Sequence, residues 1–229
     1  MEIENIQLVH PISEYYSLAQ IDCINNIPNC EYKKYKTLFI NKFNEIVADF
    51  QSSEFFKAEQ LVADNEKLYD ITIKDKNKIK HQIIRIENGK QVLLNTYDNI
   101  ELGEEDGTFA VQKDGLWGFI DTNGDEIIKP KYDKYKPFYN GIAIVEKNKN
   151  RGYVNKQGTE ITPLKYWHCQ PFYGDITVAD NYDLTIEVIN KNGKVLFKSK
   201  PHQEIFNLGN ASILIEKQNK KFEIIKFKE

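Results

Sequence analysis

Apolar residues recur along this chain in two rhythms. In the middle and C-terminal parts they come in short runs closed by Gly, Pro or Asn-Lys clusters. Such runs mark strands, and the clusters mark turns. Leu116 to Lys147 holds three of them: Trp117 to Asp121, Ile127-Ile128 stopped by Pro130, and Gly141-Ile-Ala-Ile-Val145. Thr122-Asn123-Gly124-Asp125 predicts a two-residue type I′ hairpin turn, which needs positive φ at both central positions. Tyr132-Asp133 to Phe138 reads as an irregular loop, and Lys147-Asn148-Lys149-Asn150 as another turn. The stretch therefore predicts a three-stranded antiparallel meander.

Near the N-terminus the rhythm changes. Tyr32, Tyr35, Phe39, Phe43, Ile46 and Phe50 stand three or four residues apart, the spacing of one helical face. Asn29 is a fitting N-cap, and Pro11-Ile12-Ser13-Glu14 predicts an earlier helix running to about Ile24. Residues 1–53 are thus expected to form an α-helical cap on a β-repeat domain over 54–229; the alternative use of the aromatic face is a groove for a partner helix. Glu59 to Ala63 and Lys67 to Ile73 read as a strand pair, a degenerate half-repeat within 54–81.

The chain also matches itself. Gly124 corresponds to Gly89, Gly158 and Gly193, Tyr132 to Tyr97 and Tyr166, and Phe138 to Phe172, all at spacings of 34 to 35 residues. Trp117-Gly118-Phe119-Ile120 becomes Arg151-Gly152-Tyr153-Val154 and then Ile186-Glu187-Val188-Ile189. A period of this length marks a modular array. The expected fold is mostly β: about four three-stranded antiparallel β-meander repeats, at about 82–115, 116–150, 151–185 and 186–220, with a closing strand at 221–228.

Leu116-Trp-Gly-Phe-Ile-Asp121-x-x-Gly124, Ile127-Ile-Lys-Pro130-x-Tyr132-Asp133 and Phe138-x-x-Gly141-x-Ala143-x-Val145 resemble the bacterial WG-repeat family, also called KWG repeats. The resemblance covers about residues 82–229. The copy after Arg151 has that arginine where the family has Trp, and the copy after Ile186 keeps Asn192-Gly193 and the apolar pattern. The resemblance implies a non-catalytic protein–protein interaction scaffold and transfers no catalytic residue.

Charge sharpens this little. The net charge is -3 and the pI about 5.9, which favours neither nucleic acid nor an anionic membrane. Residues 81–185 carry a net -4 and residues 186–229 a net +4. The N-terminal Met1-Glu-Ile-Glu-Asn lacks a basic targeting segment, and no apolar run reaches membrane-spanning length, so a cytoplasmic location is expected. Cys23, Cys30 and Cys169 form no disulfide framework.

No motif for a phosphate loop, a nucleophile elbow or a zinc protease is present. His10, His81, His168 and His202 share no ligand spacing, and the acidic run Glu101 to Asp106 lacks the alternation of a calcium loop. No cofactor or metal is expected. Trp167 stands out, because the corresponding residues are Asp98 and Asp133. Tyr166, Trp167, Phe172 and Tyr173, with Tyr135 of the preceding loop, are the candidate partner-binding residues, since aromatics on loops of a rigid scaffold make binding surfaces. The expected function is an interaction module or adaptor for a protein partner. The alternatives are a small-molecule or glycan binder using the same aromatics, and an enzyme whose site assembles only in space.

Overall fold

The computed structural model describes residues 6–12, 16–22, 35–43, 46–50, 55–62, 65–75, 77–88, 90–102, 107–217 and 221–227. Among these residues all regular structure is β, in six antiparallel sheets whose strands follow one another in chain order. The first holds β1 to β4 (Ile6–Pro11, Tyr16–Asp22, Tyr35–Asn41, Ile46–Phe50) and the second β5 to β8 (Phe55–Val62, Asn65–Asp75, Lys78–Glu87, Lys90–Tyr97). The third holds β9 to β12 (Asn99–Leu102, Thr108–Lys113, Leu116–Asp121, Glu126–Tyr132) and the fourth β13 to β15 (Lys134–Tyr139, Ile142–Lys147, Asn150–Asn155). The fifth holds β16 to β19 (His168–Cys169, Ile176–Asp180, Ile186–Asn190, Val195–Lys198) and the sixth β20 to β22 (Ile205–Gly209, Ser212–Lys217, Lys221–Lys226).

The expected N-terminal α-helical cap is corrected: the described part of residues 1–53 is a four-stranded sheet. The spacing of aromatics misled because Leu38 and Ile40, on either side of Phe39, are apolar too. Leu38, Phe39 and Ile40 are buried in succession along β3, which a helix with one buried face would not do. Phe43, placed on the supposed helical face, sits in a turn and is 71% exposed. Its N–H caps on Asn41 Oδ1. Tyr32 lies outside the described residues.

The stretch from Tyr132 to Phe138 is also no loop. Tyr132 ends β12, and Lys134 to Phe138 belong to β13, which opens the fourth sheet and pairs with β14. Pro137 is tolerated because β13 is the edge strand of that sheet, and the register shifts between Lys136 and Tyr139. The sequence repeat therefore straddles two sheets: β11 and β12 close one, and β13 and β14 open the next.

The Asn-Gly turns differ from expectation as well. Asp121 N–H donates to Asp125 O, and Gly124 is the residue with positive φ, at 82°. That is a three-residue loop with a glycine bulge. It recurs at Asn155–Thr159 and Asn190–Lys194, each time with the first side chain accepting an N–H two residues on. Two-residue turns with positive φ at both centres occur instead at Asp114-Gly115 and Asn148-Lys149.

The chain divides into two compact units, 1–102 with 111–114 and 120–126, and 103–110 with 115–119 and 127–229. In the first unit, Phe39 of β3 packs on Tyr69 of β6 and on Tyr16, with ring centroids 5.0 and 5.1 Å away. In the second unit the fourth sheet is covered on both faces. Ala143 and Val145 of β14 enter one core with Phe119, Ile128 and Phe138. Ile142 and Ile144 enter another with Tyr153, Phe172 and Ala179. β17 repeats the division, with Ala179 in that core and Val178 in the next. Period-two alternation thus assigns neighbouring side chains to successive cores. It also explains why these strands read as continuous apolar runs.

Candidate functional site

Three buried tyrosines bind glutamates through their hydroxyls. Tyr132 OH donates to Glu160 Oε1 at 2.8 Å, Tyr166 OH to Glu187 Oε2 at 2.8 Å, and Tyr97 OH to Glu126 Oε1 at 3.0 Å. The residue before the tyrosine supports two of them, Lys131 on Glu160 and Lys165 on Glu187. Burial, together with the adjacent carboxylate, pushes all three hydroxyls well above the ordinary tyrosine range. They stay neutral and donate.

Two corresponding positions are filled differently. Trp117 of β11 and Tyr135 of β13 stack with ring centroids 4.8 Å apart. Thirty-four residues on, the same two positions hold Arg151 and Cys169. A hollow of about 140 Å³ lies there, lined in part by Lys134, Tyr135, Lys136, Arg151 and Cys169. Arg151 Nε donates to Glu146 Oε2 at 2.8 Å, and Lys134 Nζ lies 3.3 Å from the other oxygen. These contacts, the arginine hydrogen bond first, hold Glu146 below the usual carboxylate range. Burial pushes the Cys169 thiol up to about 12.

The exposed aromatics lie at the ends of strands. Trp167 N–H donates to Asp180 O at one end of β17, and Tyr173 N–H to Ile176 O at the other. At the Tyr173 end, exposed side chains occur at one position in three successive repeats: Tyr139 (53%), Tyr173 (65%) and Leu208 (45%). The Tyr173 ring lies over Gly209, where an added Cβ would stand 2.8 Å from it. Tyr139 shares a small apolar hollow with Pro171 and Phe172.

Residues 117–150 and 152–179 match the sequence model of the WG containing repeat. These two stretches are WG repeats. No functionally curated protein matches the chain. Among solved structures, it is similar to the computationally designed Ika8 protein, with 13% identity over 96% of this chain and 71% of that one and a TM-score of 0.35. It is similar to BamB from Moraxella catarrhalis, with 14% identity over 95% of this chain and 68% of that one and a TM-score of 0.33. It is also similar to the WD40 β propeller domain of Doa1, with 8% identity over 76% and 65% and a TM-score of 0.32.

The WG repeats place several of these aromatics in the core. Gly118, the glycine of the Trp-Gly pair, lets β12 approach: a Cβ there would stand 2.3 Å from Ile128 O. Of the five candidate residues, Tyr166 and Phe172 are core side chains of the second WG repeat. Tyr135 is half-buried against Trp117 and Phe119. Trp167, 48% exposed, and Tyr173 reach the surface at opposite ends of β17, so the structure does not bring these two together. Tyr139 and Leu208 were missed, although their spacing from Tyr173 was visible as a repeat position.

Trp167 replaces a capping residue. Asp98 and Asp133 accept the turn N–H of Asp114 at 2.7 Å and of Asn148 at 2.6 Å. After the second WG repeat the corresponding turn is one residue longer and is capped internally, by Asp183 on Thr185 N–H. The fold has no capping task left at position 167.

Two histidines are each paired with an aspartate. His168 Nδ1 lies 2.9 Å from Asp180 Oδ2, and His81 Nδ1 lies 2.7 Å from the buried Asp70. Among the described residues no group of three or more metal-ligating side chains comes together, and no helix is long and apolar enough to cross a membrane. Cys23, Cys30 and Glu104 to Asp106 lie outside the described residues. A wider cleft of about 820 Å³ is bordered by Lys198, Lys200, His202 and Lys217 with Glu204 and Glu216.

Proposed function

We propose that the chain is a non-catalytic interaction module that meets a protein partner along the row Tyr139, Tyr173 and Leu208. The carrying observation is that one repeat position, beside a turn on a rigid sheet, bears a large exposed apolar side chain three times in succession. A repeated, stiffly mounted apolar row favours a macromolecular surface, since aromatic anchors dominate such interfaces at low entropic cost. The buried tyrosines and paired carboxylates serve packing, which supports a scaffold more than an active site. Trp167, at the other strand end, is the anchor of a second and separate contact.

The test compares three baits in capture from the source cell's lysate, followed by reconstitution with the purified partner: wild type, Tyr139→Ala/Tyr173→Ala, and Trp167→Ala. A partner lost with the double variant and kept by Trp167→Ala supports the row. A partner lost only with Trp167→Ala moves the face to the opposite strand end. Equal binding by all three removes both.

A further inference from the structure

We propose that the hollow beside Arg151 is a binding site for a small oxyanion, a carboxylate or a phosphate group. In the first WG repeat the position is filled by the Trp117 and Tyr135 rings. In the second, Arg151 and Cys169 replace both rings with smaller side chains, and a hollow of about 140 Å³ borders them. The exchange that removes volume also brings in a permanent positive charge.

Charge around the hollow is unbalanced. Lys134, Lys136 and Arg151 face one lining carboxylate, Glu146, whose two oxygens are already taken by Arg151 and Lys134. Asp180, whose charge acts on Cys169, is held by His168. Among the described residues no partner is found for the Lys136 ammonium or for the terminal nitrogens of the Arg151 guanidinium. Ile144, Val145 and the buried Cys169 form the apolar wall, against which charge–charge interactions strengthen.

The chemistry of the occupant follows. A guanidinium offers parallel N–H donors that match a carboxylate or phosphate edge. A metal cation would meet three positive groups. An apolar ligand would strip water from Arg151 without replacing its hydrogen bonds. The hollow is smaller than the roughly 300 Å³ at which drug-sized pockets begin, so it takes one head group. This inference stands apart from the partner-binding row and does not depend on it.

The full chain, ¹⁵N-labelled, is titrated with sodium phosphate and separately with sodium acetate, with sodium chloride holding the ionic strength constant. We expect saturable shifts of the Arg151 Nε–H and of the Glu146 and Cys169 amides. The stronger arm identifies phosphate or carboxylate as the preferred group. Lys136→Ala weakens binding by about tenfold, the effect of one charge-assisted hydrogen bond. Arg151→Trp, which reinstates the ring of the preceding repeat, abolishes it. Should Arg151→Trp fold poorly, the surface variant Lys136→Ala carries the test alone. Absence of saturation with both anions, or equal affinity in wild type and Lys136→Ala, overturns the proposal.

Discussion

Tyr132 and Glu160 stand 28 residues apart and meet at 2.8 Å, tying the exit of one sheet to the hairpin that follows the next. Tyr166 binds a glutamate in the same way, but one within β18, Glu187. The hydroxyl is buried on the tyrosine side, and the carboxylate is held ionised by it and by the preceding lysine. The bond therefore joins neighbouring repeats at a point where apolar packing alone would not fix their phase.

The two bonds differ in burial, so their removal differs in cost. Glu160 is partly exposed and keeps Lys131, whereas Glu187 is buried. A hydrogen bond to a charged group contributes about 1.5–3 kcal/mol. Tyr132→Phe is expected near the lower end of that range and Tyr166→Phe near the upper. Urea unfolding of both variants checks the order, and equal losses would show that burial of the acceptor does not govern it.

Acid should weaken the fold below the ordinary glutamate range. Glu160 is held below its usual pKa first by the Tyr132 hydrogen bond and Glu146 first by Arg151. For Glu187, burial opposes ionisation but is outweighed by Lys165 and Tyr166. A depressed folded pKa stabilises the fold above the unfolded value, about 4.3, and that stability is lost as pH falls through the folded value. Denaturant midpoints should stay level from neutral pH to about 5 and then drop. Glu160→Gln with Glu187→Gln should flatten the drop.

Alkali acts on the tyrosines with the opposite sign. Tyr97, Tyr132, Tyr153 and Tyr166 all have raised pKa values, burial being the first cause in each. Their contribution is present below the unfolded value near 10 and is lost as pH rises above it. Phenolate absorbance should show these four tyrosines ionising together with unfolding.

Turn glycines separate conformational from steric cost. Gly141 and Gly193 both have positive φ, at 79° and 78°. A Cβ on Gly141 meets nothing within 4 Å, whereas on Gly193 it would stand 1.7 Å from Ile161 O. Gly141→Ala should cost about 1 kcal/mol, the left-handed penalty, and Gly193→Ala clearly more. Thermal midpoints of the two variants measure the difference.

Cys169 should be chemically silent in the native chain. Its thiol is buried and its pKa is pushed up to about 12, and the thiolate is the reactive form. In a Cys23→Ser/Cys30→Ser background, Ellman's reagent at pH 8 should react only as fast as the protein unfolds. Rapid native labelling would contradict the burial.

The strands of the WG repeats were legible because their turns carry glycines at a fixed spacing. The N-terminal sheet was not. Leu38-Phe39-Ile40 is buried throughout, and a short apolar run without alternation does not separate strand from helix. Tyr35, Phe39 and Phe43 then fell at helical spacing by coincidence. β13 was missed because Pro137 argues against a strand unless the strand is an edge. Within the candidate site, Trp167 was legible as a departure from Asp98 and Asp133. The glutamate partners of the tyrosines were not, since each bond spans strands far apart in sequence. Glu126 and Glu160 do share the position two residues after a turn glycine, a signal that Glu187 breaks.

The division of each strand between two cores bears on how such a chain can lengthen. Inserting one residue in β14 would exchange Ala143 and Val145 with Ile142 and Ile144 and disturb two interiors at once. Duplicating the 34 residues from Tyr132 to Lys165 would keep the alternation of side chains between successive cores in phase. Heritable change in length is therefore cheap in whole repeats and costly in fractions, so gene copying by the repeat is the route open to this fold.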